Sequence, residues 1–136
     1  MIGLLLLAGA LGAVGRYLLD RALPATHDDT RSWWRGWPLG VLTANIIGTF
    51  ALGLVLGYAR AHGLDLTQEN FAGTVPAADR LWLLASGFCG SLTTASTLFV
   101  GFHLLYEVRR ARAIMFLLGT LVLAGAAGWL GWFLSV

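Results

Sequence analysis

Four long stretches of this 136-residue chain contain no charged side chain: Met1 to Gly15, Gly36 to Ala59, Leu81 to Tyr106 and Ala113 to Val136. A helix crossing a hydrocarbon core roughly 30 Å thick needs about 20 such residues. Three stretches satisfy that length outright. The first does so by continuing past Arg16 through Tyr17, Leu18 and Leu19, which leaves a guanidinium near the end of the span, buried in protein or snorkelling to the interface. With 57% hydrophobic and 12% charged residues, the composition is that of an integral membrane protein. The expectation is an all-α membrane protein with four transmembrane helices, approximately 2–20, 36–59, 81–106 and 113–135, forming one domain over 1–136. A cleaved signal peptide competes for the first span, but Met1-Ile2-Gly3 carries no basic segment and no strong cleavage pattern follows, so retention is favoured.

Against this background the third span stands out. Gly87-Phe88-Cys89-Gly90-Ser91-Leu92-Thr93-Thr94-Ala95-Ser96-Thr97-Leu98-Phe99 sets glycines and hydroxyl residues in the middle of an apolar run. Polar groups at bilayer depth imply a broken helix or a polar path, because lipid satisfies none of them. Thr93 and Thr97 stack at i, i+4, and Gly87, Gly90 and Ser91 loosen the helix before them. In the second span Asn45, Gly48 and Thr49 share a face by the same spacing. Asn45 alone reads most simply as interhelical glue, whereas two polar seams in one small bundle suggest a pore.

The seams are rich in donors and lack carboxylates, since all seven acidic residues lie in connections or at span ends. That favours an anion over a proton-coupled or cation carrier. A broken helix adds backbone carbonyls able to hold a cation, which would offset the cost of an anion in low dielectric. The long connections, roughly Asp20 to Arg35 and Arg60 to Arg80, resemble no catalytic module, and no clustered nucleophile and base indicates an enzyme. Cys89 lies inside a span and excludes an internal disulfide. His27, His62 and His103 have no metal-ligand spacing.

All nine basic residues are arginine. Arg16, Arg21, Arg31, Arg35, Arg109, Arg110 and Arg112 flank connections one and three, against Arg60 and Arg80 at connection two. By the positive-inside rule this seven-to-two bias puts connections one and three in the cytoplasm and both termini on the non-cytoplasmic side of the cell membrane. It is a topology signal rather than a nucleic-acid patch. Small-xxx-small pairs, Ala8 with Gly12, Gly36 with Gly40 and Gly53 with Gly57, allow close helix approach within the chain or between subunits. Four short spans enclose little interior, so a pathway would form at a dimer interface.

Three motifs resemble the CrcB/Fluc fluoride channels over essentially the whole chain. They are Gly12-Ala13-Val14-Gly15-Arg16-Tyr17, Gly40 through Phe50 (similar to G-T-L-x-x-N-x-x-G-x-F), and Gly87 through Leu98 (similar to G-x-x-G-G-L-T-T-F-S-T-F). The resemblance implies an antiparallel, dual-topology-type dimer that passively exports fluoride. It also implies a structural sodium ion on the backbone carbonyls of Gly90 and Thr93. Asn45 would line the pore, Thr94, Ser96 and Thr97 would stand beside the pathway, and Arg16 would lie near a vestibule.

The departures are specific. Ala95 and Leu98 occupy the two pore-aromatic positions and lack the partly positive ring edge that phenylalanine offers an anion. Phe99 is displaced by about 100° around the helix. Ser91 replaces the second motif glycine, Gly101 stands where many members carry glutamate, and the fourth span offers only Thr120 and Ser135 as hydroxyls. An antiparallel homodimer calls for balanced charge on its two faces. The imbalance here, with Ala95 and Leu98, favours one half of a heterodimer whose homologous partner has the opposite orientation, a homodimer being the alternative. A non-conducting structural subunit is a second reading, and a four-helix multidrug exporter is disfavoured by the missing buried carboxylate.

Overall fold

The computed structural model describes residues 2–23, 36–64 and 76–136. They form α1 (Ile2–Ala22), α2 (Leu39–Ala61), α3 (Pro76–Trp82), a π-helical stretch over Leu83–Cys89, α4 (Gly90–Leu92), α5 (Ala95–Val108) and α6 (Arg110–Ser135), with no strand among the described residues. Four segments are long and apolar enough to cross a membrane: Ile2–Ala22, Leu39–Ala61, Ala78–Val108 and Arg110–Ser135. Leu4, Leu6, Leu7 and Leu11 of α1 and Leu118, Leu121, Val122 and Phe133 of α6 are exposed. Apolar outward faces of this kind are what hydrocarbon solvates.

The span ends differ from those expected from charge alone. The second span starts at Leu39 rather than at residue 36: Gly36 has φ +88°, a left-handed conformation that glycine adopts without Cβ strain. Gly36 and Gly40 therefore do not form a small-residue pair on one helix. At its other end α2 stops in a Schellman motif, with Gly63 at φ +63° and the Leu64 and Gly63 amides donating to the Ala59 and Arg60 carbonyls. The fourth span starts at Arg110, so Arg109 alone separates α5 from α6. Long arginine stems reach water from inside a helix, so charge does not end the backbone ladder. His27, Arg31 and Arg35 lie outside the described residues.

Hydrophobicity does not drive helices together in lipid, so close approach and interhelical hydrogen bonds must. Glycines supply the approach. A β-carbon at Gly53 would overlap the Gly128 carbonyl oxygen, one at Gly57 would overlap the Ser135 hydroxyl, and one at Gly131 would overlap the Phe50 carbonyl. These ordered contacts show that α2 and α6 run parallel. Across the seam the Thr49 hydroxyl reaches the Ala124 carbonyl at 2.8 Å, with its own helix's Asn45 carbonyl at 2.7 Å. On the other side of the bundle α1 packs on the π-helical stretch, where a β-carbon at Gly12 would overlap Ser91 and Phe88, and one at Gly87 would lie 2.8 Å from the Ala8 methyl. The expected pairs Ala8/Gly12 and Gly53/Gly57 thus serve contacts within the chain.

Near the ends of α2 and α5, Trp37, Val41, Leu98 and Phe116 form a buried cluster. The Trp37 and Phe116 rings meet edge to face with centroids 5.7 Å apart. Gly101 completes the packing, since a β-carbon there would sit 2.8 Å from Pro38 and 3.4 Å from Phe116. This cluster holds α5 between α2 and α6 and fixes the register of the polar segment preceding it.

Candidate functional site

Helical geometry runs to Leu92, and then Thr93 (φ −73°, ψ 145°) and Thr94 (φ −148°, ψ 120°) are extended before α5 begins at Ala95. Two amides that an uninterrupted helix would use internally are diverted. The Thr94 N–H would donate to the Gly90 carbonyl four residues back; it donates instead to Asn45 Oδ1 at 2.8 Å. Asn45 Nδ2 donates in return to the Thr94 carbonyl at 3.4 Å. One side-chain amide therefore mimics a strand neighbour for Thr94, and both residues are buried, at 6% and 8% exposure.

The second diversion lies one turn on. The Thr97 N–H would serve the Thr93 carbonyl, but it donates to Thr94 Oγ1 at 3.2 Å, the side-chain N-cap of α5. The Gly90 and Thr93 carbonyls thereby lose their α-helical donors. A long contact from the Thr93 hydroxyl, 3.5 Å, reaches the Gly90 oxygen, while the same hydroxyl bonds the Cys89 carbonyl at 3.0 Å. Carbonyl oxygens released in this way are hard ligands.

Around the cap three hydroxyls gather. Thr94 Oγ1 donates to Thr97 Oγ1 at 3.1 Å and lies 3.2 Å from Ser96 Oγ. Thr94 carries one hydroxyl hydrogen, so when it serves Thr97 the Ser96 hydroxyl must be the donor to Thr94. Ala95 and Ser96 are exposed and Thr97 is half-buried. Gly48 makes the arrangement sterically accessible, because a β-carbon there would be 2.5 Å from the Thr93 methyl. Asn45 and Gly48, expected on one face, thus meet Thr94 and Thr93 respectively, whereas Thr49 turns to α6.

Leu98 and Ala95, the two altered aromatic positions, point to different surroundings. Leu98 is 5% exposed in the Trp37, Val41 and Phe116 cluster, while Phe99 is 59% exposed. Arg16 is half-buried on α1, and Gly15 beside it packs 3.5 Å from Leu92. Gly90 is exposed and lines a groove of about 630 Å³ between α1 and the third span, bordered also by Gly9, Ala13, Ser86, Gly87 and Ser91. Thr120, from the thin hydroxyl set of the fourth span, is turned inward and bonds its own helix at the Phe116 carbonyl, 2.7 Å away.

Two features escaped the sequence reading. Thr94 is both cap and clamp target, and its signal was the spacing Thr94-x-x-Thr97 at a helix start. The π-helical widening over Leu83–Cys89 had no local signal beyond its glycine.

Four apolar spans, with an extended interruption and released carbonyls midway along the third, define a multi-pass membrane protein of the ion-pathway class. The chain belongs to the family described as CrcB-like protein, Camphor Resistance (CrcB), whose model matches residues 3–132. A fluoride-specific ion channel, FluC 2 of Rhodococcus jostii, is 33% identical over 133 residues, covering 97% of this chain and 96% of that protein. The fluoride-specific ion channel FluC of Methanopyrus kandleri is 36% identical over 121 residues, 89% of this chain and 78% of its own length. FluC 1 of Nocardia farcinica is 46% identical over 96 residues, 71% of this chain and about half, 52%, of that protein.

Proposed function

We propose that this chain is a fluoride channel subunit that passively exports the ion and lowers its cytoplasmic concentration. Full-length similarity to proteins named fluoride-specific ion channels supports the substrate. The observation that carries the mechanism is the double diversion of the Thr94 and Thr97 amides. It supports a structural sodium ion on the Gly90 and Thr93 carbonyls, whose positive charge offsets the cost of an anion at bilayer depth. Ser96 and Thr97 supply hydroxyl donors beside that charge, and Asn45 holds the interruption open. No step of the function changes a covalent bond, so the chain is not an enzyme.

Gly90 opens on a groove at membrane depth, and a carbonyl without its donor is costly to leave facing lipid. That supports a second subunit covering the groove, with the two third spans meeting there. The arginine bias and the residues Ala95 and Leu98 support a homologous partner of opposite orientation, with both termini of this chain outside the cytoplasm. The test is fluoride efflux from liposomes holding this chain alone, its partner alone, or both. Efflux only from the pair is expected, and robust efflux from this chain alone would overturn the heterodimer. A structural subunit is the second reading, favoured by the fact that Asn45 is buried and both ends of its amide are occupied by the Thr94 backbone.

A further inference from the structure

We propose that the turn joining α5 to α6 binds the phosphate headgroup of an anionic phospholipid. The argument is independent of the fluoride reading. Arg109 is the single residue between two membrane-spanning helices, so the turn has no length with which to leave the headgroup layer. It carries Arg109, Arg110 and Arg112, of which the first two are exposed and the third is half-buried. The Arg110 guanidinium lies 5.2 Å from the centroid of the Tyr106 ring, which steadies it at the depth where tyrosines anchor spans.

Among the described residues of the turn itself, the charge is one-sided. The first turn of α6 has no acidic residue. Glu107, on the preceding turn of α5, is exposed and lies 3.5 Å from His103 Nε2 along its own helix. Two exposed guanidinium groups, Arg109 and Arg110, thus flank the turn beside the one carboxylate described there, Glu107. Guanidinium forks match phosphate oxygens in pairs, and the exposed Val108 beside them gives the upper acyl chain an apolar contact. At the opposite membrane face the described arginines are Arg60 and Arg80, which lie on different spans and not on one tight turn.

The full chain, purified in neutral detergent, is titrated with phosphatidylglycerol or phosphatidylcholine of matched acyl chains, and retained lipid is read by native mass spectrometry. Each basic residue at an anionic surface contributes about fivefold, so R109Q/R110Q should weaken phosphatidylglycerol binding by about 25-fold and leave phosphatidylcholine unchanged. R60Q/R80Q, with the same loss of net charge at the other face, should bind as the parent does. R109Q alone, expected to cost about fivefold, serves if the double variant misfolds by circular dichroism. Undiminished phosphatidylglycerol binding by R109Q/R110Q or R109Q overturns the proposal, as does an equal loss in R60Q/R80Q. Displacement of the lipid by millimolar inorganic phosphate would also overturn it, as the mark of a site for free anions.

Discussion

Replacing Asn45 by alanine tests the interruption of the third span directly. The change removes the 2.8 Å acceptor of the Thr94 amide and the 3.4 Å donor to the Thr94 carbonyl, both in a buried setting. A stranded buried amide costs about 1–3 kcal/mol in soluble proteins. Interhelical side-chain bonds inside membranes average about 0.6 kcal/mol and reach about 1.7, because the displaced groups find other partners. Here the alternative partner is the Gly90 carbonyl, which the Thr94 amide would serve in an uninterrupted helix. The expected loss of stability is therefore about 1–2 kcal/mol, measured by reversible unfolding in mixed detergent. If the Gly90 carbonyl has the role proposed above, the functional loss should be disproportionate, because healing the helix recaptures it. Fluoride efflux per folded protein, reconstituted with the partner where one is required, should fall by more than tenfold.

Thr120→Val is the matched control for that experiment. It removes a buried hydroxyl that bonds the Phe116 carbonyl of its own helix and not the third span, and should leave efflux per folded protein unchanged. If Asn45→Ala lowered efflux only in proportion to the folded fraction, the residue would be packing glue and the structural-subunit reading would gain. Parental stability and efflux together would refute the diversion argument.

Other consequences are equally direct. Gly53→Ala places a methyl on the Gly128 carbonyl and should abolish the folded fraction in detergent, whereas Gly125→Ala, with nothing within 4 Å of its β-carbon, should behave as parent on size-exclusion chromatography. Leu98→Phe enlarges a residue enclosed by Trp37, Val41 and Phe116 and should destabilise by about 1–3 kcal/mol, while Ala95→Phe adds its ring at an exposed site and should be tolerated in the same unfolding assay. Gly101→Glu drives a side chain against Pro38 and Phe116 and should reduce the yield of monodisperse protein sharply.

Much of this protein is local in origin. Uncharged runs of sufficient length specify four spans wherever lipid is the solvent, and the small and hydroxyl residues from Gly87 to Thr97 mark where a helix in lipid is weakest. Both were legible because they depend on residues adjacent in sequence. The ends of the spans were less so. Arginine stems carry charge to water without stopping the helix at Arg110, while Gly36 stops it by backbone conformation alone.

Tertiary structure decided which polar atoms in that weak segment are satisfied and which are released. The Asn45 amide meets Thr94 from 49 residues away, and the Thr49 hydroxyl meets the Ala124 carbonyl from 75 away. Neither pairing has a sequence signature, because any face of α2 bearing Asn45 could have turned to α1, α5 or α6. The glycines decided it by allowing α2 to press its Gly53 edge onto α6, which leaves the Asn45 edge for the third span. Sequence alone therefore determined that this chain is a four-span membrane protein with a polar interruption; the packing of α2 determined that the interruption at Thr93 and Thr94 is held open by Asn45.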